Sequence, residues 1–288
     1  MRSIFFILLI VAMPVMAQEP DSSSALFKMR DAERHFAQNS VMHGRNAAFV
    51  ESFAEESVIF TDKWISNGKQ FWKERKEAAV VLKWEPEFMD IAGSRDFGVS
   101  TGPWEMQEYR PNTSALYTGY FLTVWKKQAN GIWQVILDAG SGSPPPVGNV
   151  HSFSFPKGAD RPVPDIKSKA SVKNELPDME NQMLNAWKKN PDLSTYTSFL
   201  ARDVRIQNIG HLPTVNRDTI NKFISQFDKT LTWKTSGSGI AASGELGFTY
   251  GYIFTKGVQD KPSGHYVRIW KKQSDDKWAI TIDMLSLD

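Results

Sequence analysis

The sequence predicts an α+β protein in which one domain is built twice, head to tail. Three observations carry this. A repeat runs through the 288 residues at an offset of 145 to 149. In each copy, helical spacing of apolar residues gives way to period-two strands. The strands that follow are apolar on both faces, so each sheet needs two covers.

The repeat is clearest in GYFLTVWKKQ from Gly119, answered by GHYVRIWKKQ from Gly264 at an offset of 145. The next strands, WQVILD from Trp133 and WAITID from Trp278, keep that offset. Upstream, Ser94 to Gly98 matches Ser243 to Gly247, and Leu82-Lys83-Trp84 matches Leu231-Thr232-Trp233, both at 149. The four-residue difference falls between Gly102 and Gly119, which predicts a longer loop there. A period this long means duplicated domains and not a solenoid.

In chain order, residues 1–17 (MRSIFFILLIVAMPVMA) read as a signal peptide: Arg2, an apolar run too short to span a bilayer, and a small-residue cleavage site at Ala17. Removal leaves an exported protein, periplasmic or extracellular, with no membrane segment. The first domain, 24–140, opens with a helix over 24–42, whose Ala25, Met29, Ala32, Phe36 and Met42 share a face. Gly44 ends it, and Asn46 caps a second short helix to Phe53. A strand over 57–61, a turn at Asn67-Gly68 and a helix over 69–79 precede four strands ending at Asp138. Residues 141–171 form a linker rich in Pro and Gly (GSGSPPPVG, RPVPD), with an edge strand expected at 151–155. The second domain, 172–288, repeats the order: helices over 176–188 and 193–200, a strand over 204–207, a helix over 218–227, and strands to Asp283. Helices followed by a run of strands is an α+β pattern.

Composition narrows the chemistry. With 34 Lys and Arg against 32 Asp and Glu, the chain is nearly neutral, which argues against nucleic acid as partner. The absence of cysteine excludes disulfides, thiolate metal sites and cysteine nucleophiles. No zincin, serine-hydrolase, phosphate-loop or dinucleotide motif occurs, and the five histidines lack ligand spacing, so no metal and no cofactor are expected.

Along the repeated strand, Tyr120, Leu122 and Val124 share one face, and Phe121, Thr123 and Trp125 the other. His265, Val267 and Ile269 oppose Tyr266, Arg268 and Trp270 in the same way. Helices cover one face; the other copy's sheet covers the second, which predicts an intrachain pseudo-dimer and leaves further homo-oligomerisation open.

The helix pair, strand, helix and four-strand order, with L-x-W, S-G-x-L-G-x-x-x-G (Ser243 to Gly251) and G-H-Y-x-x-x-W-x-K-Q, resembles the SnoaL-like branch of the nuclear transport factor 2-like superfamily. More narrowly it resembles exported bacterial members of unassigned function. The resemblance covers nearly the whole mature chain. It implies two cystatin-like cones, each a curved antiparallel sheet wrapped around N-terminal helices with a cavity between. It does not fix a chemistry, because the group spans isomerases, cyclases, dehydratases and binding modules.

Candidate groups follow. Asp138 and Asp283 end equivalent strands, on the face of Gln134/Ile136 and Ala279/Thr281 by strict alternation. Each reads as a general base of raised pKa or as a structural carboxylate. His265 reads as a proton shuttle or a hydrogen-bonded interior histidine, and Tyr120 replaces it in the first copy. Asp62 and Lys63 stand where the second copy has Asn208 and Ile209. Trp64, Trp84, Trp104 and Tyr120 in one copy, and Trp233, Tyr250, Tyr252 and His265 in the other, read as ligand-pocket walls or as core. The leading reading is an exported tandem protein binding a small, partly apolar ligand. Its competitors are a proton-transfer enzyme using Asp138 or a His265–Asp283 pair, and a non-catalytic scaffold. The divergence between copies predicts that at most one is catalytic.

Overall fold

Ser24 caps the first helix, its hydroxyl accepting from the Phe27 N–H at 3.4 Å, and α1 (Ala25–His43) stops at Gly44, where φ is 92°. α2 (Arg45–Ser52) follows at once and leads into β1 (Phe53–Thr61) and β2 (Trp64–Asn67). Asn67 caps α3 (Gly68–Glu74) by accepting from the Gln70 N–H at 2.8 Å. Then come β3 (Val80–Trp84), β4 (Phe88–Ile91), β5 (Phe97–Arg110), β6 (Thr113–Lys127) and β7 (Trp133–Gly142). The second half holds α4 (Leu176–Lys189), α5 (Leu193–Thr197), β8 (Leu200–Asn208), α6 (Arg217–Ser225), β9 (Thr232–Ile240), β10 (Leu246–Phe254), β11 (Gly264–Lys272) and β12 (Trp278–Leu287). This computed structural model describes residues 24–61, 64–110, 113–146, 153–159, 173–255 and 261–287. The expected leader, Asp62, Lys63, His151 and most of the 141–171 linker lie outside them.

The two halves share a topology. One sheet runs β2-β1-β7-β6-β5-β3, with β4 also on β5; the other runs β8-β12-β11-β10-β9. Both are antiparallel except where the first long strand joins the last: β1 lies parallel to β7, and β8 to β12. Two α+β units therefore stand in tandem. The extra residues of the first copy do not form the expected loop. They extend the β5–β6 ladder, which pairs from Phe97↔Lys126 to Arg110↔Thr113. Of the edge strand expected at 151–155, the described residues 153–155 hold a bridge between Phe88 and Ser154, flanked by Phe153 and Phe155 packing on Phe27.

One irregularity decides which side chains point where. Val124 faces Leu137, but Trp125 faces Val135, so the ladder slips at Ile136. A one-residue bulge exchanges the faces of everything beyond it. Trp133 and Val135 pack against the helices, whereas Leu137 and Ala139 pack against the other half. Asp138 consequently lies on the helix side with Thr123, correcting its placement with Gln134 and Ile136. The second copy slips at the equivalent point, where Ile269 faces Ile282 but Trp270 faces Ile280.

Each half has a helix-side core, built on Leu26, Met29, Phe36, Phe53 and Trp125 in one and Leu176, Met183, Trp187, Tyr196 and Trp270 in the other. A third core lies between the sheets: Val99, Leu122, Val124 and Leu137 meet Phe248, Val267, Ile269, Ile282 and Met284. At roughly 1.5–3 kcal/mol for each fully buried large aliphatic side chain, this layer is a principal tie between the halves. Polar bonds line its rim: Gln207 Nε2 donates to Thr101 Oγ1 at 2.5 Å, Arg205 pairs with Glu87 at 2.7 Å, and Lys271 with Asp90 at 2.6 Å.

Candidate functional site

Helix α1 places Met29, Glu33 and Phe36 on one face, at spacings of four and three residues. Glu33 is fully buried there. Its carboxylate accepts from Trp84 Nε1 at 2.6 Å, Trp125 Nε1 at 2.9 Å and Ser100 Oγ at 2.5 Å. Burial raises its pKa from the ordinary value, and these three donors oppose the rise.

Asp138 lies opposite Thr123 on the β6–β7 ladder and accepts from its Oγ1 at 2.7 Å. Burial, with the nearby charge of Glu33 adding to it, pushes Asp138 up to about 7. Asp138 and Thr123 line a cavity of about 220 Å³, and Glu33 is bonded to the indole of its Trp84 wall. Phe49, Trp72, Trp84, Trp104 and Phe121 form aromatic walls, and Arg45 and Met106 also line it. Trp104 packs against Gly119, where a Cβ would collide with the indole and with the Ser141 carbonyl. Only glycine admits that approach. The arrangement is an apolar pocket with a few convergent polar groups, one of them a carboxyl titrating near neutrality.

The second half fills the same space. Glu180, Thr249, Trp270 and Asp283 repeat Glu33, Ser100, Trp125 and Asp138, but Arg268 stands for Thr123 and Tyr196 for Phe49. Arg268 is fully buried; its Nη1 donates to Glu180 Oε1, and its Nε lies 3.3 Å from Asp283 Oδ1. Tyr196 donates to Asp283 Oδ2 at 2.6 Å, and the Arg268 guanidinium lies over Tyr266, 4.4 Å from the ring centroid. Burial raises Asp283, with the Arg268 charge the largest opposing effect.

Of the residues singled out from sequence, Asp138, Trp84 and Trp104 come together in the first cavity. The others do not join them. Asp283 is clamped by Arg268 and Tyr196, so it is a structural partner and not a free base. Trp233 packs against Trp187 at 5.5 Å and under Arg268, and it borders a separate pocket with Ile253 and Leu285. Tyr120 is buried on the inter-sheet side, where Glu87 and Arg205 act on its hydroxyl. His265 stacks on Phe60 at 4.1 Å, beside Tyr250, which meets Phe60 at 6.1 Å. Tyr252 accepts from the Ile65 N–H at 3.2 Å, and Trp64, 46% exposed, meets it edge-on. Trp64, Tyr250, Tyr252 and His265 are therefore contacts between the halves. His265 and Asp283 cannot form an acid–base pair, since they point to opposite faces of their sheet. Sequence reasoning missed Glu33, Arg45, Phe49, Trp72 and Phe121. A signal for Glu33 existed: a carboxylate inside an apolar stripe, repeated 147 residues later at Glu180.

No protein-family model and no curated protein matches the chain. Among solved structures, it is similar to a nuclear transport factor 2 (NTF2-like) superfamily protein from Salmonella enterica serovar Typhimurium, at 16% identity and TM-score 0.35, over 46% of this chain and all of that one. It is also similar to a ketosteroid isomerase-like protein from Erwinia carotovora atroseptica, at 13% identity and TM-score 0.34, over 43% of this chain and 99% of the other. A CaMKII hub from S. rosetta matches at 16% identity and TM-score 0.34, over 43% and 98%. Each match spans less than half of this chain, and at such identity it says nothing of what the cavity holds. Among the described residues, no helix is long and apolar enough to cross a membrane, and no group of three or more His, Asp or Glu is placed to hold a metal.

Proposed function

We propose that the first cone binds a small, largely apolar ligand and that Asp138 exchanges a proton with it, while the second cone supports the sheet from behind. The observation that carries this is the unequal treatment of one aspartate. Asp283 is neutralised by Arg268 and its space is filled, whereas Asp138 has a threonine hydroxyl and an open aromatic cavity. Association alone gives no reason to keep one cone open and charged. A base or acid works best with a pKa near the working pH, which suits a carboxyl held near 7. A cavity of about 220 Å³ is below the roughly 300–1,000 Å³ of pockets for drug-sized molecules, so the ligand is smaller than those.

Native mass spectrometry of protein purified from its own source is the test. A retained small molecule, lost on Trp84→Ala, supports binding. Exchange of its carbon-bound protons with D₂O in wild type, absent in Asp138→Asn with the molecule still bound, supports proton transfer. A bare wild-type mass together with no response of tryptophan fluorescence to small aromatic compounds would end the reading. The proposal includes export, for which the mature protein should begin at Gln18.

A further inference from the structure

Arg45 begins α2, is 8% exposed and lines the cavity of the first cone. Its guanidinium lies over Trp72, 5.0 Å from the ring centroid, and Nη1 reaches the Met106 sulfur at 3.5 Å. A thioether is a weak acceptor. Among the described residues, Nε has no hydrogen-bond partner. The acids nearby are otherwise engaged. Glu33 accepts from Trp84, Trp125 and Ser100, Asp138 from Thr123, and Glu77 Oε2 from the Asn46 N–H at 3.0 Å.

Burial lowers the Arg45 pKa, the Arg75 charge lowers it further, and Glu77 opposes both. The position is also unfavourable for a cation on helical grounds, because the first turn of a helix already carries positive potential. Arg268 shows how this fold holds a buried arginine whose role is structural: two carboxylates and a tyrosine surround it. Arg45 has no such clasp. A desolvated guanidinium with spare donors, facing a cavity, is the recognition element for an anion.

We propose that the ligand of the first cone is a small organic anion, a carboxylate on an aromatic or similarly flat apolar body. Its charged group pairs with Arg45, and its body packs against Trp72, Trp84 and Trp104. This rests on the ligand-binding reading above and adds the charge and shape of what is bound.

Phenylacetate and its neutral isostere phenylacetamide distinguish the two levels, titrated into the full mature chain by tryptophan fluorescence and calorimetry. The acid should bind at least about tenfold more tightly than the amide. Arg45→Met should bring the acid down to the amide's affinity and leave the amide unchanged. Arg45→Lys, which keeps a charge and guards against misfolding of the methionine variant, should retain part of the preference. If the amide binds and the acid binds no better, or if the preference survives in Arg45→Met, the anion assignment is wrong while the cavity remains a binding site. If neither compound binds the wild type, both readings fall together.

Discussion

Thr123 and Arg268 occupy the same rung of their two sheets, each facing an aspartate across the ladder, Asp138 in one half and Asp283 in the other. With Tyr196 in place of Phe49, that exchange separates an open cone from a filled one. The threonine supplies one hydroxyl and leaves space; the arginine supplies a charge that Glu180 and Asp283 both use.

Arg268→Thr should therefore leave two buried carboxylates without their cation. Removing one partner of a buried ion pair costs about 3–5 kcal/mol, and that loss should appear in urea unfolding at pH 7. A double variant, Arg268→Thr with Asp283→Asn, should recover a large share of it. A loss below about 1 kcal/mol, the range of exposed pairs, would mean that the cluster does not hold the second cone together.

Asp138 makes the stability of the chain depend on pH in a definite sense. Its pKa is raised from 3.8 to about 7 by burial, so the folded state holds its proton where the unfolded state releases it. Stability from this group is full below about pH 4 and falls as pH rises toward 7. At about 1.4 kcal/mol per unit, the effect is bounded at about 4 kcal/mol. Glu33, also raised by burial, acts in the same sense. Asp138→Asn should flatten this slope and be more stable than wild type at pH 8. Equal slopes in the two proteins between pH 4 and 7 would contradict the shifted carboxyl.

The duplication, the helix-then-strand order and the doubly apolar strands were legible because each is written in local spacing. The faces of the last strands were not. A one-residue slip at Ile136, and again opposite Trp270, moves every later side chain to the other side of its sheet. Alternation alone therefore grouped Asp138 with Gln134, and residue type alone grouped the cavity residues Trp84 and Trp104 with Trp64, which meets the other half. Arg45 was invisible for a different reason. Nothing near it in sequence sets it apart, and its character comes from which carboxylates are absent around it in space.

The inter-sheet layer predicts that neither half is content alone. Expressed as 24–146, the first half would present Val99, Leu122, Val124 and Leu137 to water. A contiguous apolar face of this kind drives association. The fragment should self-associate in light scattering and bind a hydrophobic dye strongly, whereas the full chain should do neither at the same concentration. A soluble monomeric fragment with little dye binding would show that the layer is not needed to cover the sheet.

Lys271 ties the second sheet to the first through Asp90, with Nζ at 2.8 and 2.6 Å from its two carboxylate oxygens. The Asp90 side chain is only 4% exposed, and Lys271 is 24% exposed, so water compensates for the loss of either partner poorly. Burial already raises the Asp90 pKa, and the Lys271 charge is the largest effect holding it down. Lys271→Met should cost about 3 kcal/mol at neutral pH, the penalty of a buried carboxylate left without its cation. The cost should shrink as pH falls and Asp90 takes up a proton, because the neutral acid tolerates burial. Adding Asp90→Asn to Lys271→Met removes the orphaned charge and should restore more than half of the stability. A double-mutant cycle in urea gives the coupling directly; a value under about 0.5 kcal/mol, as for independent sites, would mean that the inter-sheet apolar layer holds the halves together without help from this pair.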